Sequence, residues 1–370
     1  MDTEINTLWA LVAGIFLLLS NVGAIVMLEG LTRRRSVLTV SARHLAGASG
    51  AVAGVFAISL LEIDLLQSDS TVGSVLDPSA QLWLAASSAV LLTTLAMAGM
   101  AERATVFAHL LGGLLIGGVL APLAASARQV DGFLTTIEFG EHGYIDTAAG
   151  SIFSVAGWVA LVGATIIGPR RGRSGSDGSI RDIQGKSMPL AMIGALLMYS
   201  TLFGVLARPG GAWSDTVVDG ASVMLMGGAV GVLAGIAIGR VIAGDVRVIH
   251  VLRGLLAGVV SATGNPLEVS LEEAAIFGLV GAGLSLLVGY YIDSLNVDDP
   301  VGIISVFGAA GVWGSLAIGI TDGEQFLAQL VGVVIIGPVA TIAAGVLFAI
   351  LRLLRLFRVR PDIEVVGLEL

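Results

Sequence analysis

The sequence contains no cysteine and only four histidines among its 370 residues. The absence of cysteine excludes disulfides, thiolate nucleophiles and cysteine-based metal sites. The histidines, His44, His109, His142 and His250, are scattered along the chain without the spacing of a metal-binding motif. We therefore predict no metal site.

Charged residues are also scarce. They make up 13% of the chain against 55% hydrophobic residues, and the mean hydropathy is +0.94. These values lie far outside the range of soluble proteins and predict a polytopic membrane protein, for which the lipid bilayer is the first partner. The net charge is −9, Lys186 is the only lysine, and no basic run alternates with aromatics. Nucleic-acid binding is therefore not expected.

Recognisable catalytic motifs are missing as well. No Ser/His/Asp set, paired catalytic carboxylates or phosphate-binding loop occurs in the sequence. The first residues, Met1–Asn6, carry Asp2 and Glu4 where a signal peptide has basic residues. We predict neither an enzyme, nor a cofactor, nor a cleaved signal peptide.

The chain has eleven long hydrophobic segments that can serve as crossings of a hydrocarbon core of about 30 Å. They are Thr7–Leu28, Ala42–Leu61, Gln81–Met100, Thr105–Ser126, Asp146–Gly168, Ser187–Ala207, Val217–Ala243, Val248–Thr263, Glu272–Ile292, Pro300–Ile320 and Phe326–Phe357. The eighth is short and the last is overlong, so its end is expected to project from the bilayer or to tilt. The predicted fold class is an all-α membrane protein with eleven transmembrane helices.

Positive residues indicate the orientation of these spans. They concentrate in the odd-numbered connections and after the last span, at Arg33, Arg34, Arg35, Arg43, Arg103, Arg170, Arg171, Arg173, Arg181, Lys186, Arg240, Arg247, Arg352, Arg355, Arg358 and Arg360. The even-numbered connections hold only Arg128 and Arg208. By the positive-inside rule the N-terminus lies outside and the C-terminus in the cytoplasm, in a plasma membrane.

Glycine and loop composition predict how the spans are arranged. Gly227, Gly231, Gly235 and Gly239 recur every four residues and form a smooth stripe suited to close helix packing. The segment 169–186, PRRGRSGSDGSIRDIQGK, is rich in glycine, serine and charge. Its composition predicts a flexible cytoplasmic hinge between two halves of five spans each.

Several segments together resemble the ammonium transporter (Amt/Rh) family. The first span ends NVGAIVMLEGLTRRRSVL, Ala101-Glu102-Arg103 follows the third span, and the fifth span runs from Asp146 to GATIIGPRRGR. The stretch DDPVGIISVFGAAGVWGSLAIG is similar to the family's tenth helix, and VRPDIEVVGLEL to the start of its C-terminal segment. The resemblance covers nearly the whole chain.

The resemblance implies a homotrimer in which each subunit has its own pore for ammonium or ammonia. Each subunit would consist of two inverted five-helix repeats, about 7–168 and 187–320, with the linker 169–186 between them. A last helix, 326–358, and a short cytoplasmic tail, 359–370, would follow. In the family, one histidine on the fifth helix and one on the tenth share a hydrogen bond in the pore and carry the deprotonated substrate or its proton.

The two pore histidines are absent here. Counting from the Asp-Asp-Pro turn, the tenth-helix histidine falls on Phe307. Counting back from GATIIGPR, the fifth-helix histidine falls on Phe153, whereas counting forward from Asp146 gives Ser154. A phenyl ring neither titrates nor forms the hydrogen bonds of an imidazole. We expect the usual route to be closed, unless the register is wrong and both rings are packing or lipid-facing aromatics.

Other family positions differ too. The family's outer aromatic and first gate fall on Leu84 and Ser88, its second gate near Val205, and its vestibule tryptophan near Arg128. Aromatic faces attract cations, whereas an arginine repels them. Ammonium recruitment at an outer aromatic cage is therefore not expected to survive.

Two further charged residues have alternative interpretations. Asp146, at the start of the fifth span, is expected to cap backbone amides rather than to bind a ligand. Arg253 lies within the eighth span, where a charge is a functional candidate by default. With His250 one turn away, Arg253 can instead extend to the cytoplasmic surface. His109 in the fourth span is expected to form core hydrogen bonds.

Three function classes remain open. The first is a channel or transporter that moves ammonium or another small solute by an altered route. The second is a ligand-sensing receptor subunit that has lost the pore and passes its state to a cytoplasmic partner. The third is a structural subunit. Our main hypothesis is a divergent ammonium transporter-family protein whose pore is blocked by Phe153 and Phe307.

Overall fold

A computed structural model describes residues 2–61, 78–127, 133–175, 179–207, 213–214, 216–320 and 322–366. Within these ranges the regular structure is helical, apart from three isolated β-bridges. The helices are α1 Asp2–Leu31, α2 Val37–Leu60, α3 Pro78–Ala98, α4 Val106–Ser126, α5 Ala149–Ile167, α6 Met188–Leu206, α7 Thr216–Ala243, α8 Val248–Ser261, α9 Leu271–Ser294, α10 Ile304–Ala317, α11 Gly323–Leu353 and α12 Pro361–Val366.

Eleven of these helices correspond in order to the predicted spans. Nine are long and apolar enough to cross a membrane, and the two shorter apolar helices, α8 and α10, complete the set in the described ranges. The all-α polytopic fold class is confirmed. The eighth helix has only 14 residues, in keeping with its short hydrophobic segment.

The last long helix ends earlier than its hydrophobic segment. Arg355 has a φ of 60°, and the Leu356 amide donates to the Leu351 carbonyl at 2.8 Å. This left-handed turn ends the helix. The Phe357 ring then folds back and stacks on Phe348, with ring centroids 4.8 Å apart. The end of the segment is therefore packed against the bundle instead of projecting from it.

The ends of the helices lie at two opposite faces of the bundle. We call the face where α1 begins the N-terminal face and the face where α11 ends the C-terminal face. Trp9 and Trp213 contact each other at the N-terminal face, with ring centroids 5.1 Å apart. At the C-terminal face, Arg33, Glu102 and Glu364 bring together the ends of α1 and α3 and the terminal helix α12.

The glycine stripe of α7 packs against α8. A Cβ at Gly227 would lie 2.8 Å from the Gly258 carbonyl oxygen, and one at Gly235 would lie 2.5 Å from the His250 carbonyl oxygen. No side chain larger than hydrogen fits at these crossings. The stripe therefore serves the close helix packing that its spacing predicts.

The connection between the two halves differs from a simple flexible hinge. Arg170 and Arg173 in its first part are 4% and 7% exposed. The Arg170 guanidinium donates to Glu102 at 2.8 Å and to Asp298 at 2.9 Å. Its composition gives no sign of this order, because the carboxylates that hold it come from distant parts of the chain.

Candidate functional site

Two helices of the bundle begin in the same unusual way. α5 opens with a π-helical turn, Ala149–Ser154, and the carboxylate of Asp146 caps it. Its Oδ1 accepts a hydrogen bond from the Gly150 amide at 2.9 Å, and its Oδ2 accepts one from the Ser151 amide at 2.9 Å. The aspartate thus satisfies backbone donors that a helix start leaves unpaired.

The counterpart at the opposite face is Asp299, which caps the π-helical turn at the start of α10. Its Oδ1 accepts from the Gly302 and Ile303 amides at 3.1 and 2.9 Å, and its Oδ2 accepts from the Ile304 amide at 2.7 Å. In the sequence this residue stands out only as part of the Asp-Asp-Pro turn. Its position before a serine–X–phenylalanine segment, like that of Asp146, was the available signal.

Each capped turn carries one of the two candidate phenylalanines. Phe153 and Phe307 are both fully buried, their ring centroids lie 5.7 Å apart and their planes are inclined by 40°. Just beyond the rings α5 crosses α10, where a Cβ at Gly157 would overlap the Gly308 Cα. The two rings meet in the protein interior, and neither faces lipid.

Ser154 is the alternative candidate for the position of the fifth-helix histidine, and its surroundings differ from those of Phe153. It is 2% exposed, and its hydroxyl donates back to the Gly150 carbonyl. Its backbone nitrogen packs on α10, 2.7 Å from the position of a Cβ on Gly311. The side chain of α5 that meets Phe307 is therefore that of Phe153.

Two candidate vestibule residues line one small cavity towards the N-terminal face. Leu84 and Ser88 of α3 meet Ile152 of α5 and Ala207 around a space of about 20 Å³. Val205 is buried in the last turn of α6, two residues before Ala207. Arg128 lies outside the described residues.

A much larger cavity opens at the C-terminal face. It measures about 710 Å³, and its lining includes Arg253, Asp299 and Pro300. The Arg253 guanidinium fits against two glycines: a Cβ at Gly289 would lie 2.8 Å from its Nη1, and one at Gly302 would lie 2.9 Å from its Nε. A positive charge therefore stands on the C-terminal side of the phenylalanine pair.

Electrostatics differ between the two acids of the Asp-Asp-Pro turn. Burial raises the pKa of Asp299, although hydrogen bonds from the Ile304 and Ile303 amides and the charge of Arg253 act against it. Burial also disfavours the charged form of Asp298. The charges of Arg103 and Arg170 and the hydrogen bonds from Arg170 outweigh burial there and lower its pKa to about 2. Asp298 is therefore ionised at neutral pH and Asp299 is harder to ionise.

Asp298 belongs to a buried ion network whose members lie far apart in the sequence. Arg170 donates to both of its carboxylate oxygens at 2.9 and 3.0 Å. Arg103, which is fully buried, lies 3.6 Å from the same carboxylate and donates to the carbonyls of Gly168 and Asp298 at 2.7 and 2.8 Å. These bonds fix the start of α10 to the ends of α3 and α5.

Backbone hydrogen bonds hold the start of α5 at the N-terminal face. The Ala148 amide donates to the Thr263 carbonyl at the end of α8, at 3.0 Å. α3 thus supports the start of α10, and α8 supports the start of α5. Two five-helix halves that run in opposite directions, with capped helices meeting at their interface, define the class of inverted-repeat membrane transport proteins.

Comparison with known proteins identifies the family within this class. The profile of the Ammonium Transporter Family matches residues 8–370. A putative ammonium transporter of Synechocystis sp. is 30% identical over 99% of this chain and 73% of its own length. Ammonium transporter Amt2 of Archaeoglobus fulgidus is 26% identical over 100% of this chain and 87% of its own length.

Solved structures agree on the fold. A structure titled "Sensor Amt Protein" superposes with a TM-score of 0.90 at 21% identity and covers 100% of this chain and 98% of its own. The chain belongs to the ammonium transporter family. It is a multi-pass membrane protein, and its family consists of transporters and channels rather than enzymes.

Proposed function

We propose that this protein is a non-conducting member of the ammonium transporter family that binds ammonium without passing it through the usual pore. The observation that carries the proposal is the contact between Phe153 and Phe307, which are buried and 5.7 Å apart at the interface of the two halves. By register these are the positions of the family's pore histidines. Their rings take the place of groups that accept and donate hydrogen bonds.

The physical barrier follows from this chemistry. Moving a neutral polar molecule into an apolar site without a hydrogen bond costs roughly 2–7 kcal/mol, and an unpaired charge costs far more. Ammonium would meet that cost between the two rings. On the C-terminal side it would also approach the guanidinium of Arg253, which repels a cation.

Binding without conduction is the role of a sensor. The neighbour with a TM-score of 0.90 carries the word sensor in its title, and it matches almost the full length of both chains. Exposed arginines at the C-terminal face, Arg352, Arg355 and Arg360, offer a surface for a cytoplasmic partner. We further propose a homotrimer in the plasma membrane, with the N-terminal face outside and the C-terminal face in the cytoplasm.

The decisive experiment measures transport and binding on the same preparation. Proteoliposomes on a solid-supported membrane are expected to give no ammonium-evoked current above that of empty liposomes, while a conducting family member gives one. Ammonium chloride is expected to raise the Tm of the purified protein relative to sodium chloride at the same ionic strength. Robust ammonium-dependent current in the unmodified protein would overturn the closed-pore proposal.

A pair of variants tests whether the two rings are the barrier. Phe153→Ala/Phe307→Ala removes both rings and is expected to admit a small solute that the wild-type protein excludes. Phe348→Ala removes another fully buried ring, which stacks on Phe357 and not on the phenylalanine pair, and is expected to stay closed. If the double variant is as impermeable to the solute as the wild type, the rings are not the barrier.

A further inference from the structure

Two buried histidines lie together away from the phenylalanine pair. His44 of α2 and His109 of α4 are each 1% exposed, with ring centroids 4.8 Å apart and planes inclined by 67°. They are far apart in the sequence and show no ligand spacing, so nothing in the sequence pattern brings them together. The close packing of α2 on α4 does.

Hydrogen bonds to the backbone determine the tautomer of both rings. The Nδ1 atom of His44 is 2.9 Å from the Val40 carbonyl oxygen, and that of His109 is 2.9 Å from the Thr105 carbonyl oxygen. Because a carbonyl oxygen only accepts, each Nδ1 must carry the proton and donate it. In a neutral imidazole the other nitrogen, Nε2, is then a bare acceptor.

Neither Nε2 atom has a hydrogen-bond partner among the described residues, although both are buried. The hydroxyl of Thr93 on α3 shares this property. Thr93 lies in the same cluster, because a Cβ on Gly47 would touch Thr93 Cγ2 at 3.4 Å and the His109 carbonyl oxygen at 3.3 Å. Buried polar atoms without partners are costly, so such a group of three indicates an occupant.

The chemistry of the cluster restricts that occupant. It must be small, because the helices pack closely here, and it must donate hydrogen bonds to two nitrogen lone pairs. A cation is disfavoured, because Arg43 adjoins His44 on α2 while α3 and α4 contain no carboxylate to balance a second positive charge. With only two imidazoles and no thiolate or carboxylate, the set is also poor for a metal ion.

We propose that His44, His109 and Thr93 form a binding site for ammonia, which donates its N–H groups to the two Nε2 atoms and to the threonine hydroxyl oxygen. Ammonium leaves its proton in the water before ammonia enters. The site rests on the proposed function for its ligand. The site is, however, separated from the phenylalanine pair, because α3 packs between α2 and α5. Arg43, the residue before His44, lines a small cavity at the C-terminal face with Glu102 and Glu364, and we expect ammonia to enter from this side.

The first test uses the full-length wild-type protein in lipid nanodiscs with ¹⁵N-labelled histidine. Adding ammonium chloride is expected to shift the Nε2 resonances of His44 and His109, and sodium chloride at the same ionic strength is not. The signals of His142, which is partly exposed at the other face, should not respond. If the two buried imidazoles ignore ammonium, water alone occupies the cluster and the proposal is overturned.

Variants give the second test, with the ammonium-dependent rise in Tm as the readout. His44→Phe and His109→Phe are expected to weaken the response at least about tenfold, Thr93→Val about two- to tenfold for one lost hydrogen bond, and His142→Phe not at all. If a variant fails to fold, the nanodisc experiment on the wild type still decides the question.

The pH dependence separates ammonia from ammonium. Since the uncharged fraction of total ammonium rises about tenfold per pH unit below its pKa, the half-saturating concentration should fall about tenfold per unit between about pH 6 and pH 8. A flat profile would mean that the cation binds and would overturn the assignment. Ammonium binding that survives in both histidine variants would refute this site but not the non-conducting function. Ammonium-evoked current in the wild-type protein would refute the non-conducting function but not this site.

Discussion

At the scale of single residues, two capped turns form a scaffold around the phenylalanine pair. Asp146 and Asp299 cap the two π-helical turns with the same kind of hydrogen bonds. The turns present Phe153 and Phe307, which we propose to stand at the positions of the family's pore histidines. The caps serve the backbone, so they are needed whether or not a proton passes between the side chains that they position.

Removing either cap is expected to cost more stability than removing an ordinary helix cap. Asp146→Ala and Asp299→Ala leave two or three buried amides without acceptors, and we expect a loss of more than about 2 kcal/mol. Asp322→Ala is the matched control, since this half-exposed aspartate caps α11 at 3.0 and 3.3 Å, and a loss of about 1 kcal/mol is typical. Equal shifts in Tm for all three variants would contradict the assigned roles.

At the scale of elements, hydropathy and glycine spacing predicted the helices well. The eleven segments and the α7 stripe needed only local pattern. The π-helical turns of α5 and α10 could not be predicted, because composition does not distinguish them from α-helix. The reversal after α11 depends on the left-handed backbone of Arg355, a conformation that a non-glycine residue rarely adopts and that sequence does not reveal.

The crossing of α5 and α10 is expected to tolerate no added side-chain atom. A methyl group at Gly157 meets the backbone of Gly308, so Gly157→Ala should destabilise the protein by about 1–3 kcal/mol or more. Gly345→Ala in α11 adds the same group with its nearest neighbour, Val162 Cγ1, at an ordinary 3.7 Å. That control is expected to be neutral or slightly stabilising. Comparable Tm losses in both variants would show that the crossing is not tight.

At the scale of the whole molecule, groups from distant parts of the chain fasten the C-terminal face. Glu364 of α12 accepts hydrogen bonds from the Arg171 amide at 2.7 Å and from Arg358 at 2.9 Å. Glu102 accepts one from Arg170, which also holds Asp298. Such contacts, like the meeting of His44 with His109, depend on tertiary packing. For this reason the sequence indicated the charges and the histidines but not their partners.

This network makes the stability of the protein depend on acid pH. The pKa of Asp298 is about 2 in the fold against an ordinary value of 3.8. Its contribution to stability is therefore complete above about pH 4 and is lost as the pH falls towards 2. The pKa of Glu102 is also lowered, because the charges of Arg170 and Arg33 outweigh its burial. Asp299 acts in the opposite sense, since its pKa is raised.

We expect the Tm to fall steeply between about pH 4 and pH 2 in the wild type and less steeply in Asp298→Asn, which lacks the titrating group. The variant should already be less stable at neutral pH by on the order of 2 kcal/mol, because the shift of about two pKa units is lost and buried arginines lose their partner. Asp362→Asn, in an exposed pair with Arg360, is the control and should follow the wild type. Parallel pH curves for Asp298→Asn and the wild type would show that this buried carboxylate does not hold the C-terminal face together.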